Sequence, residues 1–120
     1  MNIFEEKKIK VADAVLALDL DGTLTNSKKQ VTENTKAAVA GFIDAGGTVV
    51  LASGRPTFGV MPVAKILELD KKGGYILSYN GGCFLDCKNN EQLFMKELTH
   101  EYLPILEKQA NEFGINLMTY

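Results

Sequence analysis

Val15-Leu16-Ala17-Leu18-Asp19-Leu20-Asp21-Gly22-Thr23-Leu24-Thr25 is the stretch on which the reading of this 120-residue chain turns. Its four leading apolar residues are continuous rather than alternating, the pattern of a short strand covered on both faces, as in a parallel sheet. The run ends in a carboxylate, a second follows two residues on, and Gly22 supplies a turn. Ligands of α/β sheets gather at the carboxyl ends of strands. Two carboxylates held that close repel, so one takes up a proton or both share a cation. Mg²⁺ suits them, because it takes oxygen ligands, keeps several waters and bridges carboxylates to phosphate. An aspartate can attack phosphorus to form an aspartyl-phosphate, with the metal easing the approach of two anions. A neighbouring acid can protonate the leaving oxygen and later deprotonate water. The expectation is Asp19 as nucleophile, Asp21 as general acid/base, and both at the metal. Asp-Gly also marks plain turns, but that alternative leaves an acid closing an apolar run without compensation.

Outward from this stretch, Thr32 is a candidate N-cap for a helix to about Ala45, with Val39, Phe42 and Ile43 on one side and Gly46-Gly47 as its stop. Thr48–Ala52 reads as a second strand, ending in Ser53-Gly54-Arg55-Pro56. A second helix is expected within Val60–Leu69, with Pro62 near its first turn and Gly73-Gly74 beyond it. Tyr75–Ser78 reads as a third strand, closed by Asn80-Gly81-Gly82. Strand and helix alternating in this way predict an α/β fold with a parallel sheet and right-handed crossovers. Cys83–Asp86 and Gln92–Lys96 then read as a hairpin around Lys88-Asn89-Asn90. A helix follows from about Thr99 to Phe113, with Pro104 shifting its start to about Glu101 and Leu103, Leu106, Ala110 and Phe113 on its apolar side. Gly114 closes it, and Ile115–Tyr120 reads as a further strand.

Two more clusters sit at strand ends. Ser53-Gly54-Arg55 combines a hydroxyl, a residue that permits close approach and exposed backbone N–H groups, the makings of an anion cradle. A helix starting soon afterwards adds its positive end. A plain strand-to-helix turn favours the same small residues, and Arg55 is open to two readings, a substrate-facing cation or a surface ion-pair partner. Asn80, with Gly81 and Gly82, is placed to line the same crevice, although Asn-Gly is also an ordinary turn.

Asp19-Leu20-Asp21-Gly22-Thr23-Leu24 resembles the first motif of the haloacid dehalogenase-like (HAD) superfamily in its phosphatase form. Leu51-Ala52-Ser53-Gly54-Arg55-Pro56 resembles the second motif of its Cof-type branch, and Ser78-Tyr79-Asn80-Gly81-Gly82 that branch's third-strand ending. The resemblance implies a Rossmann-like core with an α/β cap inserted after the third strand, so that residues 1–85 belong to the core and 86–120 begin the cap. It implies Asp19 as nucleophile and Mg²⁺ ligand, Asp21 as acid/base with its backbone carbonyl on the metal, and Ser53 as a ligand of the transferring phosphoryl group. The substrate class it implies is a small phosphorylated metabolite such as a sugar phosphate. The family carries a lysine and an acidic pair after the cap. The expectation is therefore that these 120 residues are the front of a longer protein and are inactive alone. A phosphomutase sharing the first motif, a non-catalytic Mg²⁺ or phosphate-binding module, and an interaction unit that forms a homodimer through an open sheet edge are the alternatives.

Composition narrows the field. The net charge is -2, and the basic runs are no longer than the pairs Lys7-Lys8, Lys28-Lys29 and Lys71-Lys72, which argues against nucleic acid or an anionic membrane as partner. No apolar run is long enough to cross a bilayer, and Met1–Lys8 lacks the apolar stretch of a signal peptide. Cys83 and Cys87 would stand roughly 13 Å apart along a strand, too far for a disulfide, and reduced cysteines suit the cytoplasm. A single histidine, His100, rules out a multi-histidine metal site and reads as a surface residue. Lys28, Lys29 and Lys36 read as solvated, and Tyr75, Tyr79 and Phe84 as core residues rather than a stacking platform.

Overall fold

The computed structural model describes residues 10–120, so the amino-terminal segment read above lies outside the described residues. The elements are β1 (Val15–Asp19), α1 (Glu33–Asp44), β2 (Thr48–Ala52), α2 (Thr57–Ile66), a single turn α3 (Leu69–Lys72), β3 (Tyr75–Ser78), β4 (Cys83–Asp86), β5 (Glu91–Met95) and α4 (Leu103–Phe113). The five strands form one sheet in the order β1-β2-β3-β4-β5. β1, β2 and β3 run parallel, while β4 and β5 are antiparallel to their neighbours. The class is α/β, as the alternation predicted, with the parallel pairing confined to the first three strands.

The core lies on β2 and β3, where Val49, Leu51 and Ile76 are wholly buried. Val39 of α1 is buried against it, with Phe42 and Ile43 partly covered alongside. Thr32 caps α1 as expected: its hydroxyl oxygen accepts the Thr35 N–H at 3.2 Å. β1 differs from expectation. It is an edge strand, with Val15, Ala17 and Asp19 exposed and only Leu16 and Leu18 half-buried. A continuous apolar run reports a capacity for burial on two faces, and among the described residues only one is covered.

α2 begins earlier than expected, because Pro56 takes the extended conformation of an N-cap (φ -61°, ψ 156°). Pro62 therefore lies inside the helix and not in its first turn. The helix stops at Ile66, before the glycine pair, since Glu68 turns left-handed (φ 59°) and lets both Leu67 and Leu69 enter the core.

The hairpin forms where predicted and extends the core sheet: Ser78 faces Cys83 and Tyr75 faces Asp86 across β3–β4. A boundary at 85/86 falls within β4. Cys83 and Cys87 are buried and free. Tyr75 and Phe84, both half-buried, stack on each other with ring centroids 5.1 Å apart.

Pro104 sits in the first turn of α4, where its missing N–H costs no helical bond. Ala110 is buried and Leu103 and Leu106 are half-buried, but Phe113 is exposed, against expectation. Ile115–Tyr120 is not a strand. A strand needs neighbouring backbone to complete its ladder, and none of the described strands pairs with this segment. No helix of the described residues is long and apolar enough to cross a membrane.

Candidate active site

The first loop is shaped by what it buries. Leu20 is wholly buried, and Leu24 and Thr25 nearly so, whereas Asp19 and Asp21 on either side of Leu20 are exposed. The core grips one residue and thereby presents its two neighbours to solvent. The chain coils over them: the Leu24 N–H donates to the Asp19 carbonyl at 3.1 Å, and the Thr25 N–H to the Leu20 carbonyl at 3.0 Å. Gly22 takes φ 79°, a left-handed conformation that suits glycine. The Thr23 hydroxyl donates to Asp19 Oδ2 at 3.2 Å.

The ends of β2 and β3 are joined. The Ser53 N–H donates to the Leu77 carbonyl at 2.9 Å, the Asn80 N–H to the Ser53 carbonyl at 3.2 Å, and the Tyr79 N–H to the Arg55 carbonyl at 3.0 Å. Ser53 Oγ accepts the Arg55 N–H at 3.1 Å. Tyr79, Asn80 and Gly81 all have positive φ, so the chain after β3 turns sharply back toward β2. Gly54 lets the Asn80 side chain lie close over this join: a Cβ there would stand 2.8 Å from Asn80 Oδ1.

Together the three strand ends enclose an open cleft of about 330 Å³, lined by Asp19, Ser53, Gly54 and Asn80 with Ala52, Leu77 and Gly81. Four of the six residues singled out from the sequence thus share one cavity. Asp21 and Arg55 do not line it. Arg55 Nε donates to Asp21 Oδ2 at 2.9 Å, Nη2 donates to Asp21 Oδ1, and Nη1 donates to the Gly59 carbonyl at 3.3 Å. Of the two readings of Arg55, the ion pair is the one observed. The Arg55 guanidinium, through these hydrogen bonds and its charge, holds the Asp21 carboxyl below the usual carboxylate range, with a smaller push from Lys29. The pair keeps Asp21 ionised at neutral pH, with both carboxylate oxygens against Arg55.

Sequence reasoning passed over Thr23 and Gly59. Thr23 stands four residues from Asp19 across a glycine turn, a signal that could have been read; the Gly59 carbonyl carries no side-chain signal. His100, Lys28 and Lys29 are exposed and Lys36 is half-buried. A larger cavity of about 470 Å³, lined by Tyr79, Met95, Leu106 and Tyr120 among others, is mainly apolar and holds neither aspartate. Asp19, Ser53, Gly54 and Asn80, singled out from the sequence, line the smaller cleft.

Among the described residues no three His, Cys, Asp or Glu side chains come together to hold a metal. Asp19 keeps Oδ1 clear of hydrogen bonds to the described residues, whereas both Asp21 carboxylate oxygens face Arg55. The Asp19 carboxylate is a hard oxygen donor, the kind that Mg²⁺ takes while it keeps part of its water shell.

A family model described as haloacid dehalogenase-like hydrolase matches residues 16–120. The chain belongs to the haloacid dehalogenase-like hydrolases. A haloacid dehalogenase-like hydrolase from Bacteroides thetaiotaomicron superposes with a TM-score of 0.81 at 39% identity, covering 89% of this chain and 40% of that one. A second such hydrolase, from Bacillus subtilis, gives a TM-score of 0.73 at 26% identity over 83% of this chain and 34% of that one. Among curated proteins the chain is 34% identical over 71 residues to the Bacillus subtilis 5-amino-6-(5-phospho-D-ribitylamino)uracil phosphatase YwtE, covering 59% of this chain and 23% of that protein. It spans 38% and 34% of two further relatives, from Streptococcus pyogenes and Bacillus subtilis. This haloacid dehalogenase-like chain thus spans well under half the length of these curated relatives.

Proposed function

We propose that this chain carries the nucleophile-bearing half of a Mg²⁺-dependent phosphomonoester hydrolase that works through an aspartyl-phosphate on Asp19. The observation that carries the reading is the single cleft that brings the Asp19 carboxylate together with Ser53, Gly54 and Asn80. An Asp19 oxygen attacks phosphorus as the ester P–O bond breaks, and the leaving alkoxide takes a proton that Asp21, parted from Arg55, has first bound from solvent. Water then attacks the phosphorus of the acyl phosphate, gives its proton to Asp21 and frees both phosphate and Asp19. Ser53 and Asn80 orient the phosphoryl oxygens, and the small Gly54 admits them. The Asp19 carboxylate and the Asp21 main-chain carbonyl would hold Mg²⁺, which when bound offsets the repulsion between carboxylate and phosphate.

The substrate class is a small phosphorylated metabolite, sugar phosphates included; the name of the relative YwtE, which describes a phosphorylated ribityl compound, supports this breadth. The hydrogen bonding of β4 to β3 supports a core that runs through Met95, with the cap beginning near α4. The reduced cysteines support a cytoplasmic location.

The test is to trap the nucleophile. Incubation with Mg²⁺ and beryllofluoride should give an aspartyl adduct seen by ¹⁹F NMR, absent in Asp19→Asn. An intact parent protein that gives no adduct overturns the reading in favour of a binding module. The edge position of β1 supports pairing with a second copy along that strand; a monomer by light scattering at high concentration would remove it.

A further inference from the structure

One residue contacts all three strand ends. The Arg55 N–H binds Ser53 Oγ after β2, the Arg55 carbonyl receives the Tyr79 N–H after β3, and the guanidinium reaches Asp21 after β1. The same guanidinium donates to the Gly59 carbonyl in the first turn of α2. All three of its nitrogens are engaged, and none of the residues lining the cleft is Arg55. The Asp21 pair is two-pronged, the geometry in which Arg binds a carboxylate most strongly. Turning the guanidinium into the cleft would break both prongs and leave Asp21 without its partner. Among the described residues that line the cleft Asp19 alone is charged, and an anion entering it meets the neutral side chains of Ser53 and Asn80.

We propose that Arg55 is a positioning residue, which in the resting cleft fixes the Asp19–Thr25 loop through Asp21, and that it is not a ligand of the anion. This rests on the phosphoryl-transfer reading of the cleft and assigns Arg55 a role inside it.

The experiment compares wild type, Arg55→Met, Arg55→Lys and Asn80→Ala by three readouts. Inorganic phosphate is titrated in the presence of Mg²⁺, the Asp21 carboxyl carbon is followed by ¹³C NMR at neutral pH, and loop amides are followed by hydrogen exchange. In Arg55→Met, phosphate affinity should stay within about threefold of wild type, whereas Asn80→Ala should weaken it by roughly tenfold. The Asp21 carboxyl resonance should move in Arg55→Met while that of Asp44 stays, and the Leu24 and Thr25 amides should exchange about tenfold faster. Arg55→Lys, which keeps the charge but loses the fork, should recover these effects only in part. A tenfold loss of phosphate affinity in Arg55→Met would overturn the proposal in favour of a direct anion ligand. An unmoved Asp21 resonance would overturn it as well. Should wild type bind no phosphate, the phosphoryl-transfer reading fails, and the Asp21 resonance and loop exchange still decide whether Arg55 holds the loop.

Discussion

Gly54 and Asn80 meet across the ends of β2 and β3 so closely that a methyl group on Gly54 would stand 2.8 Å from the Asn80 amide oxygen. The obstacle is the end of a flexible side chain and not backbone, so Gly54→Ala should displace Asn80 without disturbing the core. The expected stability change is under about 1 kcal/mol, in the range of surface substitutions. Phosphate affinity, in contrast, should fall several-fold. Thermal melts beside phosphate titrations check this, and an unchanged affinity would separate Asn80 from the anion site.

Asp19 is exposed and accepts one hydrogen bond, from Thr23. Asn at this position retains an oxygen for that bond. Asp19→Asn should therefore unfold within about 0.5 kcal/mol of wild type while losing the beryllofluoride adduct entirely. Chemical denaturation and ¹⁹F NMR on the same sample test both halves.

Leu20 anchors the loop that presents both aspartates, and it is wholly buried. Leu20→Ala removes that anchor and opens a cavity, with an expected cost of about 2–5 kcal/mol. Denaturant midpoints measure the loss. A cost below about 1 kcal/mol would mean that the loop is held from outside the core.

Thr32 caps α1 through the Thr35 N–H. Thr32→Ala should cost about 1 kcal/mol and Thr32→Asn close to nothing, since asparagine caps equally well. Equal losses in the two variants would assign the effect to packing and not to the cap.

Burial, reinforced by the nearby Asp86 and Asp70, pushes the Cys87 thiol up from 9.0 to about 11. In the folded protein it should stay unreactive toward thiol reagents at pH 8 and react on unfolding. Between pH 9 and pH 11 the folded state keeps a proton that the unfolded state has released, so stability falls as pH rises through that window. The full loss is of order 2–3 kcal/mol. A Cys87→Ala variant should flatten this slope; an equal slope in both proteins would place its origin elsewhere.

What the sequence determined by itself is local or periodic. Thr32 as a cap, the glycine stop after α1, the three parallel strands and the hairpin were legible because each depends on residues a few positions apart. The place of the cleft was also legible, since Asp19 ends one strand and Ser53, Gly54 and Asn80 lie just past two others, and parallel strands in one sheet bring their ends to one edge. Tertiary structure alone decided what depends on a partner distant in the chain. Arg55 could face substrate or pair with an acid, and the fold brought it to Asp21, thirty-four positions away in sequence. Val15 and Phe113 had apolar character suited to a core, and both stand exposed. Ile115–Tyr120 had the composition of a strand, but none of the described strands lies beside it to pair with. A residue's chemistry states what it can bind; only the packing of the rest of the chain determines which partner is within reach.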